Sequence, residues 1–235
     1  MGFKYVIEHM EEDEDTERSI PPWVELEYAH MRILAGPEAH VHFTHLSKSS
    51  SESLSTVFRS SKTGIADAFC HETGVIDLMQ SMGVSLDKVC LLDPKAEVAL
   101  APEDGDGRFE MFLFGGILGD DPPRDRTAEL RVLGFQTRHL GPVQMTTDTA
   151  LGVTKLVVVD RIPLGRIPYV EFPNIHFNAK ESVEMPFSEL APSNLPMVAA
   201  ERMKGYIADV DGKEPLLPPG MKKLLHEDLN KSFDF

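Results

Sequence analysis

The chain has 235 residues and a formal net charge of −15, with 42% hydrophobic residues. That length suits one large domain or one domain with appendages, and the apolar share can build a sizeable core. The charge argues against nucleic acid as a direct partner, because a bare acidic surface repels phosphate backbones, and favours a basic peptide or protein.

No apolar run approaches the roughly 20 residues that a membrane helix needs. The opening MGFKYVIEHMEE lacks the layout of a signal peptide. Cys70 and Cys90 lie outside any CxxC and read as reduced core thiols of a cytoplasmic protein, with no membrane partner.

Tyr5-Val6-Ile7 opens as a short strand and ends in Glu8-His9-Met10. An acidic run follows over 11–17, a solvated loop by composition. Pro21-Pro22 starts a helix with Trp23, Leu26, Met31 and Leu34 at helical spacing, closed by Gly36-Pro37. Residues 40–46 alternate like a strand, and 47–55 read as a serine-rich linker. A helix is expected over 65–82 with Gly83 as its C-cap. Val89-Cys90-Leu91-Leu92 makes a short buried strand, and residues 109–114 another. Helix, strand and helix are expected over 125–133, 136–140 and 147–160. After Ile162, prolines at 163, 168, 173, 186, 192 and 196 break the pattern repeatedly. That tail, 163–235, reads as an extended arm packing on the domain formed by 1–162, with helices near 197–208 and 221–229. The alternation of strands and helices predicts an α/β fold with a mostly parallel sheet flanked by helices.

Three loops follow three strands in the second half: Asp93-Pro94-Lys95, residues 115–121, and residues 140–145. In a parallel sheet they leave from one edge, where open α/β folds bind ligands. Gly115, Gly116 and Gly119 allow close approach to backbone. Their spacing is neither GxGxxG nor a P-loop, and a turn that merely reverses the chain stands as the other reading. In Gln144-Met145-Thr146-Thr147-Asp148-Thr149-Ala150, Thr146 can cap a helix whose dipole suits Asp148. That capping role leaves Gly141-Pro142 and Met145 unexplained. His40, His42 and His45 lack a carboxylate or cysteine at ligand spacing and read as surface imidazoles, not a metal site.

Taken together, LLDP, FGGILGDDPPRDRT, QMTTDTA and EMPF resemble the motifs of the SPOUT-class protein arginine methyltransferases of fungi. The resemblance runs from Tyr5 to the LPPGM at Leu217. Two segments, 13–17 and 191–211, look longer than the family needs. The resemblance implies a SPOUT methyltransferase fold with a C-terminal trefoil knot, and S-adenosylmethionine as cofactor. It implies a basic small-subunit ribosomal protein as substrate and a monomeric enzyme. Carried over by motif, the cofactor-binding residues are Leu92, Asp93, Pro94, Phe114, Gly115, Gly116, Ile117, Leu118, Gly119, Leu140, Gly141, Met145, Thr146, Thr147 and Thr149.

An arginine acceptor is cationic and needs carboxylates to orient it and to take a proton. Glu8, at the end of the first strand, and Asp120, after the glycine loop, are the candidates for catalysis. Glu11, Glu12, Asp125, Asp148 and Glu184 are candidates for substrate binding. Asp125 can instead pair with Arg124 or Arg126, Asp148 can serve its helix start, and Met185 and Phe187 beside Glu184 can simply pin the arm. An RNA methyltransferase, the commoner SPOUT activity, would call for Lys/Arg clusters that this acidic chain lacks. A ribosome-assembly factor that kept the fold without turnover is the third reading.

Overall fold

The computed structural model describes residues 2–9, 20–59, 63–116, 125, 127–142, 145–167, 169–170, 174–178, 181–184, 189–190 and 215–231. In chain order the principal elements are β1 (Lys4–Glu8), α1 (Pro22–Ala35), β2 (His40–Thr44), α2 (Lys48–Phe58), β3 (Asp67–Cys70) and α3 (Val75–Met82). There follow β4 (Val89–Leu92), β5 (Met111–Gly115), α4 (Ala128–Arg131), β6 (Gln136–Arg138) and α5 (Thr147–Val158). The strands form one sheet in the order β3-β2-β1-β5-β4-β6. Every pairing in it is parallel.

A parallel sheet must be covered on both faces, and the period-two alternation of these strands supplies two apolar faces. Tyr5, Ile7, Cys90, Leu92, Phe112 and Phe114 share a core cluster with side chains of α1, α2 and α5. Their neighbours Val6, Val89, Leu91, Met111 and Leu113 share a second cluster with α3 and α4. The strands are therefore apolar throughout, which is why they stood out as short runs in the sequence.

The structure departs from the expected elements in four places. Residues 47–55 are not a linker: Ser47 caps α2, its hydroxyl oxygen accepting from Ser50 N–H at 3.1 Å. The helix buries Ser50, Leu54 and Phe58, a single row at i, i+4, i+8 that serine-rich composition conceals. The helix expected over 65–82 is really β3 followed by α3. The strand pairs with β2 at the sheet edge, and only the second part is helical, ending as expected at Gly83. The helix expected over 125–133 shrinks to α4. The tail is more than an arm, because β7 (Tyr169–Val170) pairs with β10 (Glu189–Leu190), and β8 (Asn174–His176) with β9 (Ser182–Glu184), both antiparallel. Its last helix, α6 (Met221–Lys231), is preceded by Leu216, which is buried in the first core cluster. The helix expected near 197–208 and the long segments 13–17 and 191–211 lie outside the described residues.

One histidine expectation also changes. His40 and His45 are exposed, but His42 is 3% exposed, stacked between Phe69 and His71. Its Nδ1 lies 3.1 Å from His71 Nε2. Burial and the neighbouring His71 push its pKa down to about 4, so it is a neutral packing residue.

Candidate functional site

The chain steps outward from β1 to β2 and β3, then crosses back to β4, and β5 inserts between β1 and β4. Strand order thus reverses at β1/β5, where a crevice opens at the carboxyl edge of such a sheet. The register sets Glu8 beside both Thr44 and Gly115, and Leu92 beside both Phe114 and Arg138. All three loops singled out in the sequence therefore leave from adjacent strands. Direct bonds join them: Asp93 N–H donates to the Arg138 carbonyl at 2.9 Å, and the Thr147 hydroxyl to the Gly116 carbonyl at 3.2 Å.

Leu92, Phe114 and Met145 are buried in the same core cluster, with Leu140 and Ala150 partly buried against it. Gly115 and Gly116 present bare backbone beside them. Gly141 sits at φ +94, and a Cβ there would meet nothing within 4 Å. Apolar walls, side-chain-free backbone and open space form a set that fits a flat heteroaromatic ligand with polar edges. Pro94 is exposed, while Thr146, Thr147 and Thr149 are buried at the start of α5. Ile117, Leu118, Gly119, Asp120, Glu11 and Glu12 lie outside the described residues.

The Asp93 carboxylate is engaged within the protein. It accepts from Arg131 Nε at 2.5 Å and Nη2 at 2.8 Å, from Thr127 at 3.2 Å and from Lys95 N–H at 2.9 Å. Burial pushes this carboxyl up, but the Arg131, Lys95 and Thr127 hydrogen bonds outweigh it and hold the group below its ordinary value. Its function is to fasten α4 to the loop after β4. Asp125 joins the same network. Its expected partners Arg124 and Arg126 lie outside the described residues; its carboxylate takes Lys95 at 2.6 Å and Arg131 at 3.2 Å. Those hydrogen bonds, Arg131 first and Lys95 next, hold Asp125 far below the usual carboxylate range.

Removing Arg131 as Arg131→Ala leaves the buried Asp93 charge uncompensated. Discounted for the partial exposure of Arg131, the expected loss of stability is about 2 kcal/mol. The folded carboxyl of Asp93 is depressed, so this contribution is complete above the unfolded value of about 4 and fades as pH falls through the folded value. Denaturant unfolding of both proteins at pH 7 and pH 3 checks the size and the sign.

Asp148 is 1% exposed, and both its oxygens are taken. Thr146 donates to Oδ1 at 2.6 Å, and His30 Nδ1 on α1 lies 2.7 Å from Oδ2. Thr146 heads α5 as expected, but its side chain makes no cap hydrogen bond. Asp148, expected as a substrate-binding carboxylate, thus ties α1 to the start of α5. Glu184 lies exposed in β9, opposite Asn174, in a ladder separate from the main sheet.

Glu8 is different. Its side chain is 10% exposed, yet it has no Lys or Arg partner among the described residues. Oε2 accepts from the Thr44 hydroxyl at 2.5 Å and from Val75 N–H, at the first turn of α3, at 2.9 Å. Oε1 lies over Gly74, where a Cβ would approach it to 3.0 Å, and 3.7 Å from His45 Nδ1. The result is a carboxylate fixed through one oxygen with the other beside Gly74 and His45, on a residue paired in register with Gly115. Sequence reading missed Thr44, His45, Gly74, Val75, His30 and Arg131. Each meets a partner at least 30 positions away, and the Thr73-Gly74 break ahead of α3 was a local signal.

Known proteins resemble this chain over nearly its whole length. Residues 4–232 match the family described as "Protein arginine N-methyltransferase SFM1-like". Protein arginine N-methyltransferase SFM1 of Saccharomyces cerevisiae is 37% identical over 235 residues, covering 98% of either chain. The crystal structure of the yeast arginine methyltransferase SFM1 complexed with SAM superposes with a TM-score of 0.71 at 34% identity, covering 97% of this chain and 92% of that one. The same yeast enzyme complexed with MTA gives 0.67 at 31% identity, covering 94% and 99%. The parallel six-stranded sheet is thus the expected SPOUT arrangement, and the chain belongs to the SFM1-like protein arginine N-methyltransferase family.

Proposed function

We propose that this chain is an S-adenosylmethionine-dependent protein-arginine N-methyltransferase whose acceptor is an arginine of a basic small-subunit ribosomal protein. The observation that carries it is Glu8, a carboxylate held at the reversal of strand order beside the Gly115-Gly116 backbone. In this reading Leu92, Leu140 and Met145 flank the adenine, and backbone groups of Gly115, Gly116, Leu140 and Gly141 meet its polar edges. The proposal includes the trefoil knot that would bring these loops round the ligand, and a monomer working in the cytoplasm. When bound, S-adenosylmethionine supplies an electrophilic methyl on sulfur, open to in-line attack by nitrogen.

The protein contributes orientation and charge. Glu8 Oε1 accepts the guanidinium N–H groups and fixes one nitrogen toward the methyl. A guanidinium remains cationic after methylation, so one proton must leave as the nitrogen attacks. Oε1 of Glu8 is placed to take it, while Thr44 and Val75 hold Oε2 still. The net charge of −15 supports a basic protein acceptor over RNA. The test is transfer of labelled methyl to purified small-subunit proteins and, in parallel, to protein-free rRNA. Label is expected in protein, released as methylarginine on hydrolysis; label confined to RNA would overturn the reading.

A further inference from the structure

His45 has a backbone that its residue type does not require. It lies at φ +59, one of two non-glycine residues in the left-handed region among those described. Histidine tolerates that conformation better than most residues, but glycine or asparagine would fit a plain turn with less strain. The conformation is held on both sides: His45 N–H donates to the Thr73 carbonyl at 2.9 Å, and Leu46 N–H to the His71 carbonyl at 3.1 Å. Its consequence is the position of the imidazole. Nδ1 stands 3.7 Å from Glu8 Oε1, while the side chain is 67% exposed. It bridges the buried carboxylate and bulk water.

The charged and titratable groups of the elements packed around it are few. Glu8 approaches from β1, and His71 and Glu72 lie in the bracketing loop; the His71 ring is turned to His42. Glu8 has its other oxygen closed by Thr44 and Val75, so a proton arriving on Oε1 needs an exit on that side.

We infer that His45 carries the proton released by arginine methylation from Glu8 to solvent. This rests on the reading of Glu8 as the acceptor-side carboxylate. The balance is simple. The N–C bond forms and the C–S bond breaks, its electron pair passing to sulfur. The guanidinium proton goes to Glu8 Oε1, then to Nδ1 of His45, and water takes a proton from the exposed ring. His45 acts through Glu8 and touches neither substrate.

The test uses His45→Gly, which suits φ +59 and preserves the turn, and His45→Asn, which keeps a polar side chain that cannot titrate. Both are expected to lower kcat about 100-fold, the low end for a positioned acid–base group, with the KM for S-adenosylmethionine unchanged. The pH profile of kcat is expected to be flatter in both variants than in the natural enzyme. Added imidazole should restore turnover to His45→Gly and not to His45→Asn, whose side chain fills the gap. A merely structural role would give neither the flattened profile nor the rescue. Unchanged kcat and profile in both variants, with Glu8→Gln inactive, would overturn the relay and leave Glu8 in place. Full activity in Glu8→Gln would remove the underlying reading and the relay together.

Discussion

Glu8→Gln is expected to lower kcat by about 100- to 1,000-fold, the range lost with a positioned base and charge partner, while S-adenosylmethionine binds as before. The argument is one of hydrogen-bond direction. The Val75 N–H can only donate, and the single Thr44 hydroxyl proton lies nearer Glu8 Oε2, at 2.5 Å, than the Ile7 carbonyl, at 3.2 Å. A glutamine must therefore place its carbonyl oxygen where Oε2 stands. Its NH2 group then occupies the Oε1 position and points donors at an incoming guanidinium, which is all donors. The amide thus loses the charge, the acceptor and the base together, without changing the shape of the site. Gly115 and Gly116 are untouched, so cofactor affinity measured by calorimetry should not move. Turnover within twofold of the natural enzyme would take Glu8 out of the chemistry.

The sheet was legible in the sequence, and so was the gathering of three loops at one of its edges. Strands β1, β4 and β5 announced themselves because a parallel strand buried on both faces reads as a continuous apolar run. Their loops could be placed at one edge from topology alone. β3 and α2 were hidden for opposite reasons. β3 is an edge strand with Phe69 40% exposed, so its pattern blended into the helix behind it. α2 buries so few side chains that its serines dominated the composition. On the cofactor side, glycines and threonines mark local backbone needs and can be read in one dimension. The carboxylates cannot, since their roles depend on partners distant in the chain. The carboxylate of Asp93, read as part of a ligand loop, is held by Arg131, 38 positions on. Glu8 could be suspected from its position at a strand end, but the Thr44 and Val75 bonds that aim it come from β2, whose strand was expected, and from α3, which the sequence placed only in part.

Asp148 offers the sharpest separation of structure from chemistry, because two substitutions should part company. Asp148→Ala removes the acceptor for Thr146 and the partner of His30, both buried; leaving such groups unanswered costs about 3 kcal/mol. The first turn of α5 loosens with it. Thr147, whose hydroxyl donates to the Gly116 carbonyl, then no longer steadies the glycine turn. Affinity for S-adenosylmethionine is accordingly expected to fall about tenfold, or 1.4 kcal/mol. Asp148→Asn behaves otherwise. Its carbonyl can accept from Thr146 while its NH2 donates to His30 Nδ1, once the imidazole adopts the tautomer with a lone pair there. Stability and affinity should stay close to those of the natural protein, and so should turnover. Were Asp148 the carboxylate that receives the arginine, the order would invert: the isosteric amide would fold well and fail in turnover. Urea unfolding, calorimetric binding and methyl transfer on the two variants decide between these outcomes. Two further variants, His30→Ala alone and His30→Ala with Asp148→Ala, complete the cycle that measures the coupling between α1 and α5. A double variant less destabilised than the sum of the singles is what a buried pair requires, since removing the second partner also removes the group that the first removal left stranded.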